Sequence, residues 1–247
     1  MKNKRIFLFN TPVDCLTLDE TVERINHAIR EGRQVIHTCI NANKVVLMEK
    51  DGELHKNVIE ADIINADGQA VVWVSRLLKT PLPERVPGID LMEQLLDLAH
   101  QKGYTTYFLG ATQDVVEKVV EFYSKRHSEK IIAGFRNGYF TPEEQSQIAI
   151  EINNSGCSIL FVAIPSPKKE NFINQYRNLM SNVNLLMGVG GSFDVITGKV
   201  KRAPKWMQDN GLEWLFRLLQ EPRKMWKRYL IGNIKYIRLA IRELTKK

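Results

Sequence analysis

Six short apolar runs in this chain each end in a polar or glycine turn before helical spacing resumes, and that recurrence limits the fold more than any other feature. Val35–Ile40 ends at Asn41-Ala42-Asn43, and Ile63-Ile64 leads into Asn65-Ala66-Asp67-Gly68. Residues 105–109 reach Gly110-Ala111-Thr112, and residues 131–135 reach Asn137-Gly138-Tyr139-Phe140. Residues 159–164 break at Pro165-Ser166-Pro167, and residues 184–189 enter Gly190-Gly191-Ser192-Phe193-Asp194. Strands alternating with helices form a mainly parallel, doubly wound sheet. Right-handed crossovers then carry the turn after each strand to one edge, where such sheets hold their ligands. The expected class is α/β: a Rossmann-like, mainly parallel sheet flanked by helices, with a basic amphipathic helical C-terminal appendage.

Local punctuation agrees with that plan. Residues 5–15 alternate around Thr11-Pro12 as a short hairpin, and Thr17-Leu18-Asp19-Glu20 is a capping box opening a helix that Gly32 stops. Residues 44–59 form the helical connection between the first two buried strands. Pro81-Leu82-Pro83 forces an irregular link that carries Arg85. Gly103 ends the next helix, and Thr141-Pro142-Glu143-Glu144 is a second capping box with proline at its first helical position. The Gly110 turn lacks the GxGxxG spacing, so no nicotinamide cofactor is inferred.

The chain has 247 residues and a net charge of +7, unevenly placed. Residues 196–247 hold 14 Lys or Arg against 4 Asp or Glu, a net of +10, which leaves −3 for residues 1–195. Three of the four tryptophans also lie there. The division expected is an α/β core over 1–195, in two halves at 1–103 and 104–195, followed by a helical docking appendage at 196–247. In the appendage, Trp226, Leu230, Ile234, Ile237, Ile241 and Leu244 form one helical stripe rimmed by cations. A basic amphipathic helix of this kind lies in a membrane interface or packs on its own domain or a neighbouring subunit. Nucleic acid has no use for the apolar stripe. No apolar run approaches the ~20 residues of a spanning helix, and cysteines at 15, 39 and 157 show neither disulfide nor zinc spacing. A cytoplasmic protein, peripheral on the inner face of the cell membrane, is expected.

Asp67 at a strand end is the candidate catalytic base; the alternative is that it caps the helix beginning near Gly68. A helix N-terminus would hold it ionised and make it a weaker base. Gly188-Val189-Gly190-Gly191-Ser192 offers backbone N–H groups for a diphosphate, or is simply a tight turn. Lys169 either pairs with phosphate or is a solvated surface group, and Tyr139 or Phe140 either stacks on a base or lids the core. No D-x-D pair follows a strand, so neither metal nor other cofactor is expected.

Asn65-Ala66-Asp67-Gly68, Glu84-Arg85-Val86-Pro87-Gly88-Ile89-Asp90, Pro165-Ser166-Pro167-Lys168-Lys169-Glu170 and Gly188 to Asp194 occur in order. Lys201-Arg202-Ala203-Pro204, Gly211-Leu212-Glu213-Trp214-Leu215-Phe216-Arg217-Leu218 and Glu221-Pro222-Arg223 follow them. Together they make the chain resemble the WecG/TagA/CpsF family of bacterial glycosyltransferases, which build surface polysaccharides and wall teichoic acid linkages. The resemblance implies an inverting, metal-independent transferase using a UDP-sugar donor, N-acetylmannosamine being the best-known sugar, and an undecaprenyl-diphosphate-linked acceptor. By that resemblance Asp67 is the general base and Arg85 binds diphosphate. The tail docks on the membrane and brings Arg217, Arg223 and Arg228 to the site. Cys39, Asn41, Gly110, Tyr139, Lys169, Gly190, Gly191 and Asp194 complete the expected substrate-binding set. Cys39 stands where teichoic-acid members carry Thr, and Lys169 where they carry Gln. The alternative function is a non-catalytic UDP-sugar or lipid-binding module regulating an assembly complex, and a homo-oligomer is compatible with either.

Overall fold

A computed structural model describes residues 4–245; the side chains of Lys224 and Arg228 lie outside the described residues, so the expected role of Arg228 has no structural account. An antiparallel hairpin, β1 (Arg5–Leu8) and β2 (Thr11–Asp14), precedes the main sheet. That sheet comprises β3 (Val35–Ile40), β4 (Ile63–Ala66), β5 (Thr106–Gly110), β6 (Ile132–Arg136), β7 (Ile159–Ala163) and β8 (Leu185–Gly188). Its order is β4-β3-β8-β7-β5-β6, with every neighbouring pair parallel. The α/β architecture with a helical C-terminal segment is therefore present, and all six carboxyl ends point to one edge.

The period-two alternation of strand side chains divides the core between two faces. Ile36, Ile40, Ile64, Leu160, Val162 and Leu186 pack on one face with residues of the Ala42–Met48, Gln69–Leu77, Gln145–Asn154 and Lys168–Tyr176 helices. Val35, Ile63, Ile159, Phe161, Leu185 and Met187 pack on the other with the Leu18–Arg30, Gly88–Lys102 and Gln113–Arg126 helices. β5 and β7 are neighbours whose following helices lie on opposite faces, which opens a crevice between their ends. Gly110 stands there with φ +138°, and a methyl group on it would meet the Ala163 carbonyl oxygen at 2.4 Å, so no side chain fits. The hairpin covers the β4 edge: buried Asp14 accepts from Arg5 Nε at 2.9 Å and from the Ile64 N–H at 2.8 Å. This satisfies a donor that an edge strand otherwise leaves to water.

Both capping boxes and the left-handed Gly103 terminus form as expected. Two helical stretches are more broken than their spacing suggests. Residues 44–59 are two helices, Ala42–Met48 and Gly52–Ile59, because the Asp51 carboxylate accepts from the Leu54 N–H at 2.9 Å and starts a new one. The appendage is divided into Lys205–Asp209, Glu213–Gln220, Pro222–Trp226 and Gly232–Thr245, the last two joined by a π-helical turn. Gly211, with φ +67°, and Pro222 make the first two breaks.

The last helix packs on the Ala42–Met48 helix. Tyr236 is buried 5.4 Å from the Phe9 ring centroid, Arg242 pairs with Glu49 at 2.8 Å, and Glu243 accepts from the Phe9 N–H at 3.1 Å. Leu239, Ala240 and Leu244 join the same core. Leu244, placed by its spacing on the same stripe, thus faces inward, whereas Leu230, Ile234, Ile237 and Ile241 stay 54–56% exposed. Among the described residues no helix is long and apolar enough to cross a membrane.

Candidate functional site

The site begins where β3 and β4 end side by side. Asn41 follows β3 and caps the Ala42–Met48 helix, its Oδ1 accepting from the Lys44 N–H at 3.0 Å. Its Nδ2 donates to Asp67 Oδ2 at 3.3 Å. The Asp67 N–H is in turn held by the Ile40 carbonyl at 2.9 Å. Gly68 permits this approach, since a methyl group there would sit 3.1 Å from Asn41 Cβ. The next helix has Gly68, not Asp67, at its N-cap and no side-chain cap bond, so the capping alternative does not apply. Nor is the Asp67 carboxyl lowered as a helix start would have it. Burial first, and then the nearby Glu213 carboxylate, raise its pKa against the lowering effects of Asn41, Arg85 and Lys44.

Arg85 reaches the same rim because its link is pinned to the strand: the Val86 N–H donates to the Ala66 carbonyl at 2.8 Å. The guanidinium donates to Glu213 at 2.6 Å and Gln208 at 3.3 Å, both in the appendage. Arg202 pairs with Asp90 at 2.5 Å, and a methyl on Gly211 would lie 2.9 Å from the Trp73 ring. The first part of the appendage therefore crosses the Gln69–Leu77 helix and fastens to the Arg85 link, beside Asp67.

Behind the rim lies a buried charge cluster. Glu170 pairs with Lys44 at 2.8 Å and Lys169 at 3.1 Å, while Lys44 also donates to Thr38 at 3.0 Å. Burial and Lys44 lower Lys169 to about 8. Burial opposes ionisation of Glu170, but the two ammoniums outweigh it and hold that carboxyl at about 2. Lys169 is thus neither solvated nor free; its stem lies over Gly188, where an added methyl would come within 2.7 Å of Cε. Cys39 is buried between cluster and rim, below Gly88, and burial followed by the Asp67 charge pushes its thiol up to about 12. Its side chain packs inside the core instead of lining the open rim. His37, lowered by burial to about 4, stays neutral and joins β3 to β4 through Asn65 at 2.9 Å.

The remaining expected residues spread along the edge. Gly190, with φ +56°, and Gly191 follow β8, one strand from Asn41 and two from Asp67, or roughly 10 Å at ~4.8 Å per strand. Asp194 is in the short Ser192–Ile196 helix and pairs with Lys199 at 3.6 Å. Gly110 is on β5, and Tyr139, 74% exposed, follows β6 at the sheet's opposite edge from Asp67. The structure does not bring Tyr139 and Asp67 together. Arg217 pairs with Glu221 at 2.9 Å within its own segment, and Arg223 is exposed.

Glu213, Gln208, Lys44 and Glu170 were not singled out by sequence reasoning. Glu213 and Glu170 stand in the quoted motifs, but only the folded chain pairs them with Arg85 and with Lys44. What the assembly offers is a carboxyl of raised proton affinity, a neighbouring guanidinium and a line of strand-end turns beside them.

Two comparisons bear on this arrangement. The model of the glycosyl transferase WecG/TagA/CpsF family matches residues 6–247. The chain is also similar to a Bacillus subtilis (strain 168) protein named N-acetylglucosaminyldiphosphoundecaprenol N-acetyl-beta-D-mannosaminyltransferase. They share 33% identity over 221 residues, which is 90% of this chain and 84% of that one.

Proposed function

The chain belongs to the WecG/TagA/CpsF family of glycosyl transferases, and from that premise we propose that it moves N-acetylmannosamine or a related hexose from a UDP-sugar to an undecaprenyl-diphosphate-linked sugar. Its product enters the synthesis of a cell-surface polysaccharide or teichoic acid. The relative's name, which states both the mannosaminyl group and a diphosphoundecaprenol acceptor, supports the sugar and the lipid. In this reading residues 1–103 supply the base and acceptor side, residues 104–195 the nucleotide-sugar side, and residues 196–247 the membrane contact.

The observation that carries the chemistry is the placement of Asp67, oriented by Asn41, within the electrostatic reach of Arg85. Asp67 takes the proton of the acceptor hydroxyl as that oxygen attacks the anomeric carbon from the face opposite UDP, and the configuration inverts. The carbon–oxygen bond to UDP breaks as the new one forms. Arg85 neutralises charge gathering on the departing diphosphate, and the backbone N–H groups of the Gly190-Gly191 turn add fixed dipoles. The raised proton affinity of Asp67 suits this step, because a carboxylate with too low a pKa removes a hydroxyl proton poorly.

The appendage gives the reaction its place. Leu230, Ile234, Ile237 and Ile241 form an exposed stripe whose helix is anchored to the core by its other side. With Lys227, Lys235 and Arg238 on the same segment, it fits the headgroup region of an anionic leaflet, at the inner face of the cell membrane. The test is release of UDP on mixing UDP-N-acetylmannosamine with an undecaprenyl-type diphosphate N-acetylglucosamine. Wild-type protein releases UDP only with both substrates present, and Asp67→Asn loses turnover by about 10²- to 10⁴-fold while still binding UDP. Near-normal turnover by that variant would exclude Asp67 as the base.

A further inference from the structure

The guanidinium assigned above to diphosphate already holds an anion. Arg85 Nη1 donates to Glu213 Oε2 at 2.6 Å, and Nη2 donates to Gln208 Oε1 at 3.3 Å. The two ends of this pair differ in exposure: the Arg85 side chain is 12% exposed and that of Glu213 39%. The cation is fixed at the base of the rim, whereas the carboxylate stands at its mouth, where exchange for another anion requires little desolvation. A carboxylate and a phosphate present the same kind of oxygen edge to a guanidinium. Glu213 opens the Glu213–Gln220 helix, and the chain leading to it is fastened by Arg202 to Asp90 and packed through Gly211 on Trp73.

We propose that Glu213 is a positioning residue that occupies the anion seat of Arg85 while the site is empty and yields it to a diphosphate oxygen of the substrate. The inference rests on the assignment of Arg85 to diphosphate. Closure of the appendage and binding of the donor then compete for one guanidinium, and the exchange reports to the appendage that the site has filled. Until that exchange, Glu213 also lies close enough to Asp67 to influence its proton affinity. The other groups around Asp67 are Asn41 and Lys44 from the Ala42–Met48 helix and its cap, Cys39 from β3, and Arg85 from the link.

The experiment is calorimetric titration of the full-length wild type, Glu213→Gln, Glu213→Asp and Arg85→Gln with UDP and, separately, with inorganic pyrophosphate. Carboxyl NMR titration of Asp67 is run on the first two. Glu213→Gln is expected to bind both anions about tenfold more tightly, a change of roughly 1.4 kcal/mol, and Glu213→Asp to return towards wild type. The gain is absent when Arg85→Gln is combined with it, and Asp67 titrates at lower pH in Glu213→Gln than in wild type. Unchanged or weaker binding by folded Glu213→Gln, or a gain that survives without Arg85, overturns the proposal. Failure of every form to bind UDP removes the sugar-nucleotide reading instead. The pyrophosphate titrations and the Asp67 titration then still decide on Glu213, and no difference in either overturns its role.

Discussion

Asn41 donates its side-chain amide to Asp67 across 3.3 Å, while its own oxygen is committed to the Lys44 N–H at 3.0 Å. The second bond fixes which way the amide faces, so a donor and not an acceptor meets the carboxylate. Asn41→Ala removes that donor, which lowers the Asp67 pKa, and the pKa therefore rises. The acid limb of the kcat/KM profile is expected to move to higher pH, with a helix-capping cost of about 1 kcal/mol. A pH–rate series on the variant checks the direction, and a shift to lower pH contradicts it.

Glu170 is held at about 2, below the ordinary 4.5, against the opposing effect of burial. Because its folded-state pKa is depressed, its ionised form contributes stability in full above about 4.5, and that contribution is lost as pH falls towards 2. Glu170→Gln removes this dependence and leaves two buried ammoniums without their counter-charge, at a cost of about 3–5 kcal/mol near neutral pH. Urea unfolding between about pH 2 and 7 is expected to show a lower and flatter stability curve for the variant.

Much of this fold is legible in the sequence because the strands are short apolar runs closed by unmistakable stops. The Thr17 and Thr141 capping boxes, Gly103 and the Asp67 strand end all act locally, and local chemistry is what spacing reveals. The Ala42–Met48 break is less visible, since Asp51 reads equally well as a solvated helix residue until its carboxylate takes the Leu54 N–H. Of the candidate site, the nearness of Asp67 and Asn41 was legible, because their strands are consecutive. Glu213 is 128 residues from Arg85 and Glu170 is 126 from Lys44, and periodicity carries no information at such separations. Lys169 illustrates the same limit, since only the fold buries it against Gly188.

Gly110 is expected to tolerate no side chain. Its φ of +138° is unfavourable for any L-residue, and a methyl would overlap the Ala163 carbonyl at 2.4 Å. Gly110→Ala must push β5 away from β7 at the crevice, and a loss of more than ~2 kcal/mol is expected. Thermal unfolding measures it; a variant as stable as wild type would mean that the two strand ends relax freely.

Ile234 and Ile237 are exposed, so replacing both by Gln is expected to change folding stability by less than ~0.5 kcal/mol per site. The same change removes apolar area from the stripe proposed to enter the headgroup region, and co-sedimentation with anionic vesicles is expected to fall at least tenfold. Tyr236→Ala makes the converse case: it leaves the stripe intact but detaches the helix from Phe9, so stability falls first. Vesicle binding unchanged by the Ile234 and Ile237 double replacement would contradict the docking role.

The strand at the middle of the sheet is the last one in the chain. β8 lies between β3 and β7, pairing Leu185 with both Val35 and Ile159. On the ribosome, β3 and β4 emerge long before their central partner exists, and the polypeptide must hold an unfilled strand position until residue 188 has cleared the exit. Such a sheet closes late and through contacts distant in sequence. A nascent chain stalled short of β8 should therefore expose the inner edges of β3 and β7 to chaperones, and premature termination in that region should yield insoluble fragments rather than a smaller stable core.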